Sequence, residues 1–410
     1  MAADLMAQVR NTYRLARAGL AACAVVLAAL VAGCAPQTPE AESAEPERTV
    51  EESKNTEATA EDSERPAEPS ESADEAEQAE PAEAAPSTEE IRAAAMDPSV
   101  QLPTKVSESL RSIEYDPIPE STTRGVHYWV SNENFHHLYK PYVDDHGGIY
   151  LGVGTDQNYM IAAWARSPIL LMMDFDEEIR NLHHIYGSVF RRAKTHREHL
   201  RAWEQPETIE GWLAEDFDGA RLDKLEATLS EARLYVLARL RKVIKHYRER
   251  DIATFITDQS QYEFVRQLWL NDRVVALRGD LTADKTMVQV AEALDDHGLS
   301  LGLVYTSNAE QYFDFTPQYR RNIIAQPFDD DSLFLRTRPY KGLGVPEEGE
   351  YHYNVQPAEH FEELLEKSKT KNVLRMLKRY RTNHPETDGL SEIDKPVQPS
   401  SKPPEVAEGG

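Results

Sequence analysis

The sequence predicts an α/β fold: a mostly parallel sheet with helices on both faces and a helical insertion. Three observations lead there. Short apolar runs recur between glycines, prolines and acids, as in Ile149-Tyr150-Leu151-Gly152-Val153 and Ile169-Leu170-Leu171-Met172-Met173. Strands that are apolar on both faces are covered on both faces, which is the habit of parallel sheets. Between these runs the apolar residues step at helical spacing, and strands alternating with helices imply crossover connections. From about 195 to 250 the alternation gives way to helical periodicity alone, which marks the insertion.

The elements follow in order. Gly147-Gly148 opens the first strand, and a glycine loop leads to a helix from about Asn158 to Arg166, stopped by Pro168. The second strand ends in Asp174-Phe175-Asp176, before a helix carrying Ile179, Leu182, Tyr186, Val189 and Phe190. In the insertion, Leu222, Leu225, Leu229, Ala232, Val236, Leu240 and Val243 form one face of a long amphipathic helix. Its end is rich in Arg and Lys, which complement the helix dipole and read as a solvated terminus. A helix from about Asp258 to Leu270 precedes the strand Arg273–Leu277, which runs into Gly279-Asp280. A helix with Met287, Val290, Ala291 and Leu294 leads to the strand Leu299–Tyr305 and then to Thr306-Ser307-Asn308. Further strands are expected at Leu333–Arg336 and Tyr351–Gln356, and one final helix from about Ala358 that includes Phe361, Leu364, Leu365, Val373, Leu374 and Leu377.

The folding capacity is assigned to 105–385. The chain has 410 residues with 45 Lys+Arg against 71 Asp+Glu, a formal net charge of −26. Residues 35–90 hold 19 acids and 3 bases, so the acidity is concentrated in one segment. Such a balance excludes a general basic field for nucleic acid. Cys23 and Cys34, the two cysteines, exclude a disulfide framework and a cysteine-ligated zinc site. Residues 1–33 read as a signal peptide: Arg10, Arg14 and Arg17 precede an uncharged stretch, Ala18–Leu30, short of the roughly 20 apolar residues of a membrane span. Val31-Ala32-Gly33-Cys34 resembles the lipobox of bacterial lipoproteins, which implies a lipid on Cys34 and an envelope location. Ala35 after the cysteine resembles outer-membrane rather than inner-membrane sorting. Residues 34–104, rich in Glu, Ala, Pro and Ser, are expected to be a disordered tether, and 386–410 a disordered tail.

At the strand ends lie the candidate site residues. Gly152 and Gly154 permit a tight turn and close approach of a ligand. Asp156, Asp174, Asp176 and Asp280 would converge there as a negative rim that selects cationic or hydroxyl-rich ligands. Ser307 and Asn308 end the fourth strand. The histidine pairs His136-His137 and His183-His184 lack a ligand spacing, and no metal site is expected. The order of strand, GxG, helix, strand, acid, helix, strand, Gly-Asp, helix, strand over about 115–315 resembles the Rossmann-like domain of S-adenosylmethionine-dependent methyltransferases. That resemblance implies that Gly152 and Gly154 meet the amino-acid part of the cofactor, Asp174 or Asp176 the ribose, and Asp280 the adenine. Gly148–Asn158 and Val304–Tyr312 also resemble an uncharacterised bacterial family of methyltransferase-like proteins. Tyr150 stands where methyltransferases carry an acid. The expectation is a membrane-tethered domain that binds a small polar or cationic ligand, or an envelope partner, without catalysis. The alternative is an S-adenosylmethionine-dependent methyltransferase.

Overall fold

The computed structural model describes residues 86–119 and 125–397; the expected signal segment, Cys34 and residues 34–85 of the tether lie outside the described residues. Helices α1 (Thr88–Met96), α2 (Thr104–Arg111) and α3 (Lys140–Val143) precede the first strand. Then come β1 (Ile149–Val153), α4 (Asp156–Ala165), β2 (Leu170–Asp174) and α5 (Glu177–Arg192). The insertion consists of α6 (His196–Glu204), α7 (Pro206–Asp216) and α8 (Gly219–Arg248). The alternation resumes with α9 (Gln259–Leu270), β3 (Val274–Arg278), α10 (Thr286–Asp295), β4 (Leu301–Tyr305) and α11 (Pro317–Ile324). The chain closes with β5 (Phe328–Arg338), β6 (His352–Pro357), α12 (Ala358–Lys367), α13 (Val373–Tyr380), β7 (Arg381–Asn383) and β8 (Leu390–Ile393).

The strands form one mixed sheet in the order β3-β2-β1-β4-β5-β6-β8-β7. The first five in that order are parallel throughout. β6 runs antiparallel to β5 and parallel to β8, and β7 is antiparallel to β8. From β1 the chain builds outward to β2 and β3, then returns to place β4 on the other side of β1. The strand order therefore reverses between β1 and β4, the place where parallel α/β sheets open a crevice.

Successive residues of a strand face opposite sides, and two cores result. Tyr150, Leu170, Met172, Leu303, Tyr305 and Leu335 pack with α4, α5, α8 and α9. Ile149, Leu151, Leu171, Met173, Val304 and Phe334 pack with α1, α2, α10, α12 and α13. The full apolar character of these strands is the sequence signature of that double cover. The basic end of α8 is only partly a solvated terminus, because Arg239 is buried.

Three expected boundaries move. The tether does not extend to 104, because α1 lies inside that range with a capping box between Ser87 and Glu90. Arg273, with no exposure, donates to the carbonyls of Ala94 (2.8 Å), Ala95 (2.6 Å) and Val100 (2.8 Å). A buried guanidinium thereby fixes a segment whose composition alone gives it little apolar area. The tail does not begin at 386: Leu390 and Ile393 are buried and β8 belongs to the sheet. The final helix is two helices, because Arg320 draws in the carbonyls of Leu365, Ser368 and Thr370 where the chain breaks, and Asn372 caps α13.

Candidate functional site

The turn after β1 has the expected form, with Gly154 at φ 97°. What comes close to the glycines is the protein itself. A Cβ on Gly152 would lie 2.3 Å from Asn158 Oδ1 and 2.4 Å from Tyr150 Cε1. One on Gly154 would lie 2.4 Å from Gln157 Nε2. Gln157 and Asn158 donate back to the Val153 carbonyl at 3.2 and 3.3 Å, and the Tyr150 hydroxyl donates to Asn158 Oδ1 at 2.8 Å. Tyr150 is fully buried and completes this plug.

The four aspartates do not form an open negative rim. Asp156 has no exposure, and Arg239 of α8 donates to it at 2.9 Å. The insertion thus neutralises the carboxylate at the start of α4, and Arg239 reaches on to Asn134 Oδ1 at 3.0 Å. Asp176 caps α5 by accepting the Glu178 N–H at 3.0 Å, and pairs with His127 Nδ1 at 2.7 Å. Asp280 folds back on the Thr282 N–H and hydroxyl, both at 2.8 Å. Asp174 accepts the Asp176 N–H at 3.0 Å. Burial pushes the Asp174 carboxyl up to about 7, and the nearby Asp176 charge adds to the effect.

Two stretches from the N-terminal segment lie across these strand ends. Tyr115 packs under the guanidinium groups of Arg180 (4.7 Å) and Arg278 (5.5 Å). Next to it, the buried Asp116 accepts the N–H groups of Asp280 (3.0 Å) and Lys285 (3.1 Å), at the N-terminus of α10. A carboxylate of the chain itself therefore takes the anion position that a helix N-terminus offers. Further on, Glu133 sits over β4 and β5. It accepts from the Tyr305 and Thr337 hydroxyls, from Ser307 Oγ at 2.9 Å, from His136 Nε2 at 3.1 Å and from Ser131 Oγ at 3.3 Å. Burial opposes its ionisation, but hydrogen bonds from His136, Thr337 and Tyr305 outweigh that and hold the carboxyl below its ordinary range.

Ser307 thus serves Glu133, and Asn308 Nδ2 donates to the Tyr351 hydroxyl at 3.4 Å. The structure brings Gly152, Gly154 and Asp156 together in one plug, whereas Asp174, Asp176 and Asp280 are each held by local turns. Sequence reasoning missed Asp116, Glu133 and Thr337. Neither acid lies in a periodic element, and the partners are far away in the chain. Among the described residues no group of three or more His, Cys, Asp or Glu is arranged to hold a metal ion. His183 bridges the Tyr159 hydroxyl and the Gly154 carbonyl, both at 2.9 Å, and burial lowers its pKa to about 4.

A pocket of about 310 Å³ remains open beside this closed rim, at the far ends of β4 and β5. Gln311, Tyr312, Phe313 and Arg338 lie in its wall.

Residues 128–394 match the protein family described as Domain of unknown function (DUF7790), and the chain belongs to that family. No curated protein matches the chain. The match takes in Glu133 and every strand of the sheet, and begins after Asp116.

Because the Asp174 pKa is raised on folding, the neutral form stabilises the fold. That contribution is complete below about pH 4 and is lost as pH rises towards 7. Asp174→Asn, neutral at every pH, should therefore gain on the native protein across that window. The gap should level off above pH 7 at roughly 1–2 kcal/mol, tempered by the group's partial exposure. Urea denaturation at acid and at alkaline pH reads this directly, and a gap independent of pH would contradict it.

Proposed function

We propose that this chain is a lipid-anchored envelope protein whose Rossmann-like domain binds a small polar ligand or an envelope partner without catalysis. The strand order β3-β2-β1-β4-β5, parallel throughout, supports the Rossmann-like reading. The lipid anchor rests on Cys34, the uncharged run before it and the acidic segment after it.

One observation carries the functional reading: Asp116 and Glu133, from the N-terminal segment, use the donors at the strand ends. In a methyltransferase those ends receive the cofactor and its acceptor. Here a nucleotide would have to displace the Tyr150, Gln157 and Asn158 plug. The Ser307 hydroxyl donates to a carboxylate whose other acceptor positions are filled, so Glu133 is poorly placed to take a proton from it. A domain of this kind keeps the scaffold of a nucleotide-binding fold and presents the pocket beyond β4 and β5 instead.

Thermal melts of the purified protein with S-adenosylmethionine, S-adenosylhomocysteine and NAD should show no saturable shift. A saturable rise with S-adenosylmethionine would return the chain to the methyltransferase reading. Cys34→Ser should move the protein from the membrane fraction to the soluble envelope fraction; unchanged membrane partition would place the anchor elsewhere.

A further inference from the structure

β5 carries two arginines on alternate residues, and their surroundings differ sharply. Arg336 is fully buried and its charge is met by a carboxylate: Nε lies 2.6 Å from Glu310 Oε2, and Nη1 donates to Gln356 Oε1 at 2.6 Å, with only Nη2 left without an acceptor. Glu310 also accepts the Tyr319 hydroxyl at 2.5 Å, so each of its carboxylate oxygens has a partner. Arg338, two residues on, emerges at the carboxyl end of the strand in the wall of the open pocket. Its Nη1 donates to Gln311 Oε1, a neutral group. Its Nε is shielded from water and has no acceptor. Among the described residues no carboxylate forms an ion pair with Arg338. Burial accordingly draws its pKa down, with only the Tyr312 phenol opposing that.

The rest of the wall adds to this picture. Asp314 is exposed and accepts from Asn372 Nδ2 at 2.8 Å. Tyr312 is 68% exposed, and Phe313 lines the pocket beside it. At about 310 Å³ the space is at the small end of ligand pockets. A cation with an unused donor, two aromatic walls and a small volume describe a receptor for an anion with an apolar body.

We infer that this pocket binds a small organic carboxylate, held by Nη2 of Arg338 and packed against Tyr312 and Phe313. A guanidinium N–H donating to a carboxylate is a charged hydrogen bond, stronger than a neutral one. Asp314 and Glu310, the latter paired with Arg336, stand in the same wall, so a monoanion fits better than a phosphate dianion. The inference rests on the binding reading above and names its ligand class.

Calorimetric titration of the mature chain with benzoate and with benzamide, its neutral isostere, tests the assignment. Benzoate should bind saturably and benzamide roughly tenfold more weakly. Arg338→Gln should weaken benzoate by a similar factor and leave benzamide unchanged, with the melting temperature reporting that the variant is folded. Equal binding of the two compounds, benzoate binding that survives Arg338→Gln, or no saturation by benzoate would overturn the inference. So would inorganic phosphate binding more tightly than benzoate. Failure here with nucleotides still inert removes only the ligand class, whereas a melting shift with S-adenosylmethionine removes the broader reading and leaves the carboxylate result standing.

Discussion

Glu133 is 1% exposed, and an ionised carboxylate at that depth costs several kcal/mol unless hydrogen bonds replace the lost water. The replacement comes from three separate parts of the chain: Ser131 and His136 beside it, Tyr305 and Ser307 at the end of β4, and Thr337 near the end of β5. Meeting that one requirement fixes the overlying segment to two central strands. It also supports Ser307 in the left-handed region at φ 51°, where its carbonyl accepts the Thr337 N–H at 2.9 Å. Phe135, just beyond Glu133, donates its N–H to the Tyr353 hydroxyl at 2.8 Å, which brings β6 into the same arrangement. The Asp156–Arg239 pair extends the lock to the helical insertion. Five donors share this one carboxylate, so the three parts of the chain are tied together at a single buried charge.

The sequence made the sheet readable and left its closure hidden, and the reason is physical. A parallel strand buried on both faces, such as Leu170–Asp174, announces itself as an apolar run without reference to anything distant. The helices between strands show their period locally. β5 was foreseen only over Leu333–Arg336, because Asp329, Asp330 and Asp331 near its start are exposed and fall where its register with β4 shifts, between the pairs Leu301–Phe328 and Leu303–Leu333. That Asp174 ends β2 and that Asp280 and Ser307 follow β3 and β4 was legible, but their roles depend on partners that no local pattern reveals. Asp156 meets an arginine 83 residues away, and Asp116 serves amides more than 160 residues away. An acid that will neutralise a buried arginine and an acid that will face a ligand look alike in one dimension.

The functional consequence follows from where polar groups are used up. Along β1, β2 and β3 the donors at the carboxyl ends are taken by the chain's own carboxylates and amides. Beyond β4 and β5 a guanidinium is left with a donor unspent. A mostly parallel sheet whose strand ends are occupied by its own chain still offers a rigid support for side chains at its other end positions. Family membership over residues 128–394 places the closed rim around Glu133 and the pocket around Arg338 inside the shared domain. Asp116, by contrast, comes from outside the matched region, so the closure over β3 is a feature of the longer chain.

Closure by Asp116 is the claim on which this account turns, and amide hydrogen exchange measures it at the bonds concerned. In the native protein the N–H groups of Asp280 and Lys285 should exchange slowly, although they lie outside the regular helix and strand. Asp116→Ala should accelerate both by roughly tenfold or more while the amides of Val275, Ala276 and Leu277 in β3 stay protected. Rates at Asp280 and Lys285 that do not change in the variant would contradict the account, because the crevice would then be closed without the carboxylate that is said to close it.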